Sequence, residues 1–337
     1  MLKFDKVMII AEAGVNHNGD FAMAEKMIYA AKEAGADYVK FQTAVPEQVI
    51  SVFAEKAEYQ KETTGKEESQ LDMCRKIHLP LSAYKTLAGI CREAGIGFMS
   101  TPFDLESVDC LASLGMDYWK IPSGEITNLP YLRKIATHHG KIIMSTGMCT
   151  LPEIEAAMQV LVDGGVSRED IALLHCNTQY PTPMCDVNLR AMEALRTLHP
   201  GAVGYSDHTV GIEVPIGAVA LGANIIEKHF TLDRNLPGPD HRASLEPDEL
   251  KAMVSAIRNI EQALGTPEKR VSDSERPNIA IARKSIVAAR DIRKGELLTA
   301  ENLACKRPGT GLSPMVWDQV VGTKAVRDFQ ADEEIAL

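Results

Sequence analysis

Eight short apolar segments recur along the first part of the chain, and most of them end in a polar or charged side chain. Between them lie stretches whose apolar residues are spaced three and four apart, as in residues 22–34 and 151–161, which is typical of amphipathic helices. β-Branched and aromatic runs that alternate with such helices are typical of parallel strands covered on both faces. The eight predicted strands are VMIIAEAG, YVKFQT, GFMSTPF, YWKIPSGE, KIIMSTG, IALLHC, AVGYSDH and NIIEKHF. The pattern therefore predicts an α/β fold, a (β/α)8 TIM barrel.

The chain is longer than one barrel requires. A barrel of this kind takes about 250 residues, and this chain has 337. Residues 247–264 are predicted to form the eighth helix, because glycine and proline stop signals follow them. Residues 266–282 are polar and aperiodic, which predicts a linker, and residues 283–337 contain short β-rich runs separated by turns. We therefore expect a catalytic barrel over 1–265, the linker, and a small β-rich domain.

One connection within the predicted barrel is unusually long. Residues 44–81 separate the second strand from a helix predicted over residues 82–94. In a compact domain, so long a connection is usually functional or partly helical. The alternative is a solvated insertion with no role in the site, and the sequence leaves both interpretations open.

Composition excludes several classes of protein. The net charge is -10 and no run of lysine or arginine occurs, so no nucleic-acid partner is expected. No apolar stretch approaches the roughly 20 residues of a membrane span, and the N-terminal apolar run is too short for a signal peptide. We therefore expect a cytoplasmic protein with no membrane partner. The cysteines number 7, an odd count, and form no CxxC pair, which indicates reduced thiols.

Two histidines, His208 and His229, stand at the ends of the last two predicted strands. Barrel enzymes place their chemistry at the C-terminal ends of the strands, where equivalent positions on neighbouring strands lie about 5 Å apart. Both could be hydrogen-bonded structural residues, but a pair at one level favours a shared metal ion. With Asp207, Glu227 and Asp240 nearby, the set suits an open-coordination ion such as Mn²⁺, Mg²⁺ or Co²⁺ rather than a closed zinc site.

Cations and hydroxyl groups collect at the ends of the second to fifth predicted strands. They are Lys40, Thr101, Lys120, Ser123 and Ser145. Ammonium and hydroxyl donors that converge with loop N–H groups form a site for phosphate or carboxylate. Single members of this set could instead be solvated rim residues. Either lysine could also form a Schiff base with a keto acid, which would require a lowered lysine pKa.

Glu12 and Glu125 add carboxylates to the same rim. They are candidates for proton transfer or for stabilising a developing cation. The alternative is that they only balance the charge of the lysines. The polar turn at residues 16–19 is expected to line the mouth, with His17 in a structural role.

Longer motifs add a family resemblance to these observations. In register along nearly the whole chain stand IIAEAGVNHNGD, VKFQT, STPFD, KIPSGEITNLP, MSTGM, LLHCNTQYPTP, GYSDHTVGIE and EKHFTLDRNLPGPDHRASLEPDEL. Together they resemble the sialic acid synthase family. The terminal segment ARKSIVAARDIRKGELLTAENLACKRPGTG resembles the antifreeze-like (SAF) domain of that family, so the resemblance covers both predicted domains.

The resemblance implies an enzyme that condenses phosphoenolpyruvate with an N-acylated mannosamine-type sugar to give a nonulosonic acid and phosphate. It implies a divalent metal on His208 and His229, with Mn²⁺ expected and Mg²⁺ or Co²⁺ as alternatives. Phosphoenolpyruvate would be held by Lys40, Thr101, Lys120, Ser123 and Ser145. The sugar or the reacting centre would be lined by Glu12, Gln42, Glu125, Asn177, Thr178, Tyr180, Ser206 and Asp240. Glu12, Glu125 and Lys120 are the expected catalytic residues.

The resemblance also implies an assembly. In the family, the SAF domain of one subunit covers the barrel of the other in a domain-swapped homodimer and sends an arginine into the sugar site. Arg307, in KRPGTG, occupies that position here. A terminal domain of about 55 residues is near the lower limit for independent folding, so a docking partner is expected on physical grounds as well.

Two segments indicate a branch of the family. Members that make N-acetylneuraminate often carry Thr-Asn before the Tyr-Pro pair and KHQTH after the second strand. This chain has Asn177-Thr178-Gln179-Tyr180 and Lys40-Phe41-Gln42-Thr43. It looks more like the branch that makes N,N'-diacetyllegionaminate from 2,4-diacetamido-2,4,6-trideoxymannose, with N-acetylneuraminate synthesis as the alternative. Phe41 would suit a deoxygenated sugar if it faces the site, but it could also point outward into the helix layer.

Two rival functions differ in class. In a Schiff-base lyase, Lys120 would attack a keto acid, and no metal would be needed. In a binding-only protein, the terminal domain would recognise carbohydrate and the barrel would be degenerate. The binding-only function is disfavoured because every rim position of the predicted barrel carries a side chain suited to catalysis or ligand binding.

Overall fold

The computed structural model describes residues 2, 4–65 and 67–337. The chain divides after Gly265 into two compact units. Within the described residues, no helix is long and apolar enough to cross a membrane.

The first unit contains all eight predicted strands. They are β1 (Met8–Gly14), β2 (Tyr38–Thr43), β3 (Gly97–Pro102), β4 (Tyr118–Ile121), β5 (Lys141–Ser145), β6 (Ile171–His175), β7 (Val203–Asp207) and β8 (Ile225–His229). They pair in parallel in the order β3-β2-β1-β8-β7-β6-β5-β4, and β3 also lies against β4. The strands therefore form a ring, and the predicted barrel is confirmed.

Helices connect successive strands and surround the ring. They are α1 (Phe21–Ala34), α2 (Pro46–Val49), α3 (Glu58–Thr64), α4 (Gln70–Ile77), α5 (Leu81–Ala94), α6 (Leu105–Ala112), α7 (Leu129–Ala136), α8 (Leu151–Asp163), α9 (Ala191–Leu198), α10 (Glu213–Ala220) and α11 (Pro247–Leu264). Local chemistry sets several of their ends. Asp20 caps α1 by accepting hydrogen bonds from two backbone N–H groups of the first turn, and Gly35 ends that helix at a φ of 87°.

Alternate residues along each strand face either the helices or the barrel interior. Outward-facing residues such as Ile9 and Ile226 belong to the large core between strands and helices. Inward-facing residues near the strand starts, such as Met8, Ile10 and Ile225, form a smaller apolar cluster. This cluster closes the N-terminal end of the barrel, so polar interior positions are left only at the C-terminal mouth.

The long connection after β2 is folded against the barrel. It contains the helices α2, α3 and α4, and Leu71, Met73 and Ile77 of α4 are buried. The end of α4 approaches the turn after β1 so closely that a Cβ on Gly19 would lie 2.5 Å from the Lys76 carbonyl oxygen. The helical interpretation of this segment, called the insertion below (residues 44–80), is therefore confirmed.

The second unit has its own small core. Strands β9 (Ser285–Ala288) and β10 (Leu303–Lys306) pair antiparallel. Helix α12 (Asn278–Ala282) precedes them in the sequence, and helix α13 (Trp317–Val320) follows them. Ile286, Leu298 and Phe329 are among the buried residues. Gly309 N–H donates to the Ala280 carbonyl. The last residues of the predicted linker thus form a helix that hydrogen-bonds within the second unit.

Candidate active site

A cavity of ≈ 160 Å³ opens at the C-terminal mouth of the barrel. Most of the predicted site residues line it: Glu12, Lys40, Gln42, Thr101, Lys120, Ser123, Ser145, Thr178, Tyr180, Ser206, His208 and His229. The strands β1 to β8 all contribute, either directly or through the residues that follow them. The fold therefore brings together residues that are far apart in the sequence, as their positions at the strand ends predicted.

The strand alternation decides which charged residues reach the cavity. On β8, Glu227 and His229 face inward, and Lys228 between them faces the helix layer. On β7, Asp207 also faces outward and forms a fully buried ion pair with Lys228 at 2.5 Å. The interpretation of Asp207 as a helper for the metal is therefore wrong, because its carboxylate lies on the other side of the sheet.

Two lysines and two glutamates form a buried charge cluster in the cavity. Lys40 Nζ lies 2.6 Å from Glu12 Oε2 and 3.7 Å from Glu227 Oε1. Lys120 Nζ lies 3.6 Å from the same Glu227 oxygen. Glu227 thus stands between two cations, and the cluster is neutral as a whole when all four groups are charged.

Hydroxyl groups extend this cluster. Lys40 donates to Thr101 Oγ1 at 3.0 Å, and Lys120 donates to Ser145 Oγ at 2.8 Å. Ser123 Oγ accepts the N–H of Gly147 at 2.9 Å, which places a backbone donor at the same end of the site. Two ammonium groups and three hydroxyls within one cavity can hold a small ligand that carries two anionic groups.

Burial and mutual attraction shift the pKa values of the cluster in different directions. Burial raises the pKa of Glu12 to about 7, although Lys40 opposes the shift. Burial also acts on Glu227, but the two lysines outweigh it and lower the pKa of that carboxyl. Burial lowers the pKa of Lys120, whereas the carboxylates raise that of Lys40 in spite of its burial. Glu12 is therefore the carboxyl of the pair that can exchange a proton near neutral pH.

The predicted histidine pair lies beside this cluster. The rings of His208 and His229 are 5.3 Å apart, and the Tyr180 ring stacks on His208 at 4.0 Å. Tyr180 Oη and His208 Nε2 are 2.9 Å apart. Asp240 Oδ2 lies 3.9 Å from His229 Nδ1. Two imidazoles, one phenol and one carboxylate therefore face a common space.

These residues fit a divalent cation held by few protein ligands. Burial lowers the pKa of His208 to about 4 and that of His229 well below its ordinary value, so both rings are neutral near pH 7, as metal ligands must be. His208 Nδ1 is 2.5 Å from the Asn177 carbonyl, which makes it the protonated nitrogen and leaves a lone pair on Nε2. His229 Nδ1 is buried without a hydrogen-bond partner. Within the described residues, no complete set of three or more His, Cys, Asp or Glu ligands occurs.

Asp207, Asp240 and several other residues considered from the sequence do not line this cavity. Glu125 lies on a 3-10 turn at the rim, where it accepts from Asn128 at 2.6 Å, and burial raises its pKa. The Asn177 side chain accepts a hydrogen bond from Gln179 N–H, and it is the backbone carbonyl oxygen of Asn177 that contacts His208. Arg307 belongs to the second unit, where its Nε donates to the Ala282 carbonyl. Phe41 is fully buried in the helix layer, so its outward orientation is confirmed.

Two residues make contacts in the site that were not predicted from the sequence. Glu227 stands two positions before His229, so strand alternation alone puts it on the same face. From the sequence it was predicted only to lie near the metal, and its place between the two lysines was not predicted. Tyr59, from the insertion, stacks on Tyr180 at 5.3 Å. No local sequence signal reports that contact, because it depends on how the insertion folds back.

Comparisons with known proteins agree with this arrangement. The chain matches the NeuB family over residues 27–269 and the SAF domain over residues 283–336. It is 54% identical over 330 residues to the N,N'-diacetyllegionaminic acid synthase of Campylobacter jejuni, covering 98% of this chain and 99% of that protein. A protein of the same name from Legionella pneumophila is 46% identical and covers 96% of this chain and 91% of the relative.

A solved structure gives a similar result. The N-acetylneuraminic acid synthetase of Leptospira borgpetersenii, crystallised with citrate, is 34% identical with a TM-score of 0.70. The match covers 82% of this chain and 90% of that structure.

Proposed function

The chain belongs to the NeuB family, and we propose that it condenses phosphoenolpyruvate with an N-acetylated mannosamine-type sugar to give a nonulosonic acid and phosphate. The preferred product is N,N'-diacetyllegionaminate, formed from 2,4-diacetamido-2,4,6-trideoxymannose. The identity of 54% and 46% to two N,N'-diacetyllegionaminic acid synthases supports this sugar. N-Acetylneuraminate from N-acetylmannosamine is the alternative product.

The observation that carries the proposal is the buried Lys40, Lys120, Glu12 and Glu227 cluster beside two neutral histidines. Phosphoenolpyruvate carries a phosphate and a carboxylate, and a ligand with two anionic groups is best held by two cations with hydroxyl donors around them. Lys40 with Thr101, and Lys120 with Ser145, supply two such pairs. The acceptor sugar would then extend past Gln42 and Tyr180 toward the rim.

His208 and His229 would hold the metal, with Asp240 beside them. A bound divalent cation, Mn²⁺ by preference or else Mg²⁺ or Co²⁺, would act as a Lewis acid that polarises the aldehyde of the open-chain sugar. The Asn177 carbonyl fixes the tautomer of His208, and the Tyr180 ring fixes its plane. These contacts of Asn177 and Tyr180 orient the His208 ring before a metal ion binds.

The reaction needs positioning and charge stabilisation from the cluster. C3 of phosphoenolpyruvate attacks the aldehyde carbon to form the C–C bond, and C2 becomes oxocarbenium-like. The Glu227 carboxylate, held between the lysines, stabilises that positive charge. Water adds at C2, and the tetrahedral intermediate expels phosphate by cleavage of the C–O bond. Glu12 can accept the proton lost by the water or give the one gained by the aldehyde oxygen. Glu125, at the rim, remains a prediction for proton handling.

Phosphate release with two acceptors tests the proposal. The assay supplies phosphoenolpyruvate and Mn²⁺ with either the diacetamido sugar or N-acetylmannosamine, with and without chelator. We expect a higher kcat/KM with the diacetamido sugar and loss of turnover with chelator. Preference for N-acetylmannosamine would correct the sugar and leave the reaction in place, whereas no release with either sugar would contradict the proposal.

One observation favours a second candidate, a Schiff-base lyase. Burial lowers the pKa of Lys120, and an uncharged lysine is what attack on a keto acid requires. However, Lys120 already donates to Ser145 and lies near Glu227, which suits an ammonium group that binds an anion. Borohydride with pyruvate would label Lys120 in a lyase, and we expect no label.

We also propose the homodimer expected for this family, in which the SAF unit of one subunit covers the barrel of the other. Arg307 would then enter the partner's sugar site. Arg307 is exposed in the single chain and makes its described side-chain hydrogen bond only to a carbonyl oxygen, so its charge is available to an acceptor group. A cytoplasmic location, where phosphoenolpyruvate is available, goes with this proposal.

A further inference from the structure

A second cavity adjoins the catalytic one at the insertion. It measures ≈ 150 Å³, and Gln42 and Phe103 line both cavities. Its remaining walls are mostly apolar, with Ala44, Val49 and Ile50 from the segment that follows β2. A recess of this kind, which shares two wall residues with a polar reaction site, is suited to a substituent of the substrate that has both apolar and polar parts.

The walls of this side cavity are fastened to the barrel. Val45 N–H donates to Asp104 Oδ2 at 2.7 Å, which ties the start of α2 to the cap of α6. Arg75 Nε pairs with Glu47 at 2.7 Å, which ties α4 to α2. Ala44 is buried. One hydrogen bond therefore ties this wall to the barrel, and an exposed ion pair links two helices of the insertion.

The size of the side cavity favours a group larger than a methyl. A methyl group fills about the volume of one water molecule, roughly 30 Å³, and the cavity measures ≈ 150 Å³. An acetamido group, with four heavy atoms, fits that volume better. An acetamido group also needs a hydrogen-bond donor and an acceptor, because an unpaired buried amide is costly.

The lining provides such partners. Gln70 carries an amide that can donate and accept, and Gln42, whose Nε2 donates to Glu12 Oε1, has an amide oxygen that can accept. His78 Nδ1 lies 2.9 Å from the Cys74 carbonyl and is therefore the protonated nitrogen, which leaves Nε2 as an acceptor. Apolar walls for the methyl and amides for the N–H and C=O occur together in one recess.

We propose that this side cavity receives the C4 acetamido group of the acceptor sugar and that Ala44 and Val49 thereby determine the choice of sugar. The inference rests on the proposed function, because it assigns a subsite within the same reaction. This subsite would let the enzyme discriminate a 4-acetamido sugar from a 4-hydroxy sugar, because only the 4-acetamido group fills the recess. A gap left unfilled, with its amides unpaired, lowers kcat/KM for the second.

The test narrows the cavity and compares three acceptors. Ala44→Leu fills the buried wall, and Val49→Phe does so from a position that is 38% exposed and therefore able to take a larger side chain. The acceptors are 2,4-diacetamido-2,4,6-trideoxymannose, 2-acetamido-2,6-dideoxymannose and N-acetylmannosamine. The first two differ only at C4, and the last two only at C6. Ala57→Leu, on an exposed position of the insertion outside both cavities, is the matched control.

We expect both cavity variants to lower kcat/KM for the diacetamido sugar by about tenfold or more relative to the 4-hydroxy sugar of the same series. The KM for phosphoenolpyruvate should stay unchanged, and the Ala57→Leu control should keep the original ratio. The assignment would be overturned if kcat/KM fell equally with all three sugars or did not fall in either variant. It would also be overturned if the loss of kcat/KM depended on the substituent at C6 rather than at C4. Failure of the unsubstituted protein to release phosphate with any sugar would instead contradict the proposed function.

Discussion

Glu227 is the residue on which the charge balance of the site depends. Among the residues that the structure describes, it is the carboxylate that lies within ion-pair distance of both Lys40 and Lys120. Both lysines are buried, so neither can recover its lost hydration from solvent. Removal of one partner from a buried ion pair is costly because it leaves an uncompensated charge.

We therefore expect Glu227→Gln to destabilise the free protein by about 3 kcal/mol or more. Phosphoenolpyruvate supplies anions to the same lysines, so it should raise the melting temperature of the variant more than that of the unsubstituted protein. Thermal unfolding with and without phosphoenolpyruvate measures both effects, and the exposed Glu193→Gln serves as the control. Equal stabilisation of variant and parent would show that the lysines do not hold this ligand.

Glu12 gives a prediction about pH. Its pKa is raised from 4.5 to about 7, chiefly by burial, so the folded chain binds its proton more tightly than the unfolded chain does. The resulting stability is fully present below the unfolded pKa and is lost as the pH rises from 4.5 to about 7. The stability of the unsubstituted protein relative to Glu12→Gln should therefore fall over this window and level off above it.

Urea unfolding of the two proteins at several pH values measures that difference. The histidines His208 and His229 titrate in both proteins, so their opposite effect cancels in the comparison. A stability difference that is independent of pH would mean that Glu12 is ionised throughout, and a role for it in proton transfer near neutral pH would be lost.

Among the elements, the strands and the partly helical character of the insertion were predictable from the sequence, but the path of the insertion over the mouth was not. Each strand is a short apolar run that ends in a polar residue, and the closed ring of parallel strands brings those ends to one mouth. The outward position of Asp207 follows from strand alternation once the strand bounds are known. The contact of Tyr59 with Tyr180 has no such rule, because three short helices must first fold back across the mouth.

Gly19 shows how the insertion is held. It has a φ of +73°, and an added Cβ would lie 2.5 Å from the backbone oxygen of Lys76 at the end of α4. Gly115 has a similar φ of +68° but open space around it. We expect Gly19→Ala to destabilise the protein more than Gly115→Ala does, by about 1–3 kcal/mol for the steric clash beyond the shared backbone strain.

Hydrogen exchange locates this effect, since α4 should lose protection in Gly19→Ala and keep it in Gly115→Ala. The sugar KM should rise in the first variant, because the insertion forms the side cavity. Equal behaviour of the two variants would show that the close approach of Lys76 does not constrain the insertion.

At the scale of the whole molecule, the proposed exchange of SAF units makes activity depend on two chains. His229→Ala damages the barrel, and Arg307→Ala damages the terminal unit. If Arg307 acts on the partner, a mixed dimer of these two inactive variants contains one complete site. Random pairing of equal amounts then restores about a quarter of the full activity.

Co-expression of the two variants measures this restoration. The control pair, His229→Ala with His208→Ala, should stay inactive because both lesions lie in the barrel. Absence of restoration in a verified mixed dimer would place Arg307 at the site of its own chain, or at no site.

In the proposed reaction, phosphate leaves by cleavage of the C–O bond after a new C–C bond has formed. Phosphoenolpyruvate labelled with ¹⁸O at the bridging oxygen tests it most directly, with Mn²⁺ and the diacetamido sugar present. We expect the label to appear in phosphate, and only when the sugar is present. Label retained in a keto acid, or phosphate released without sugar, would contradict it.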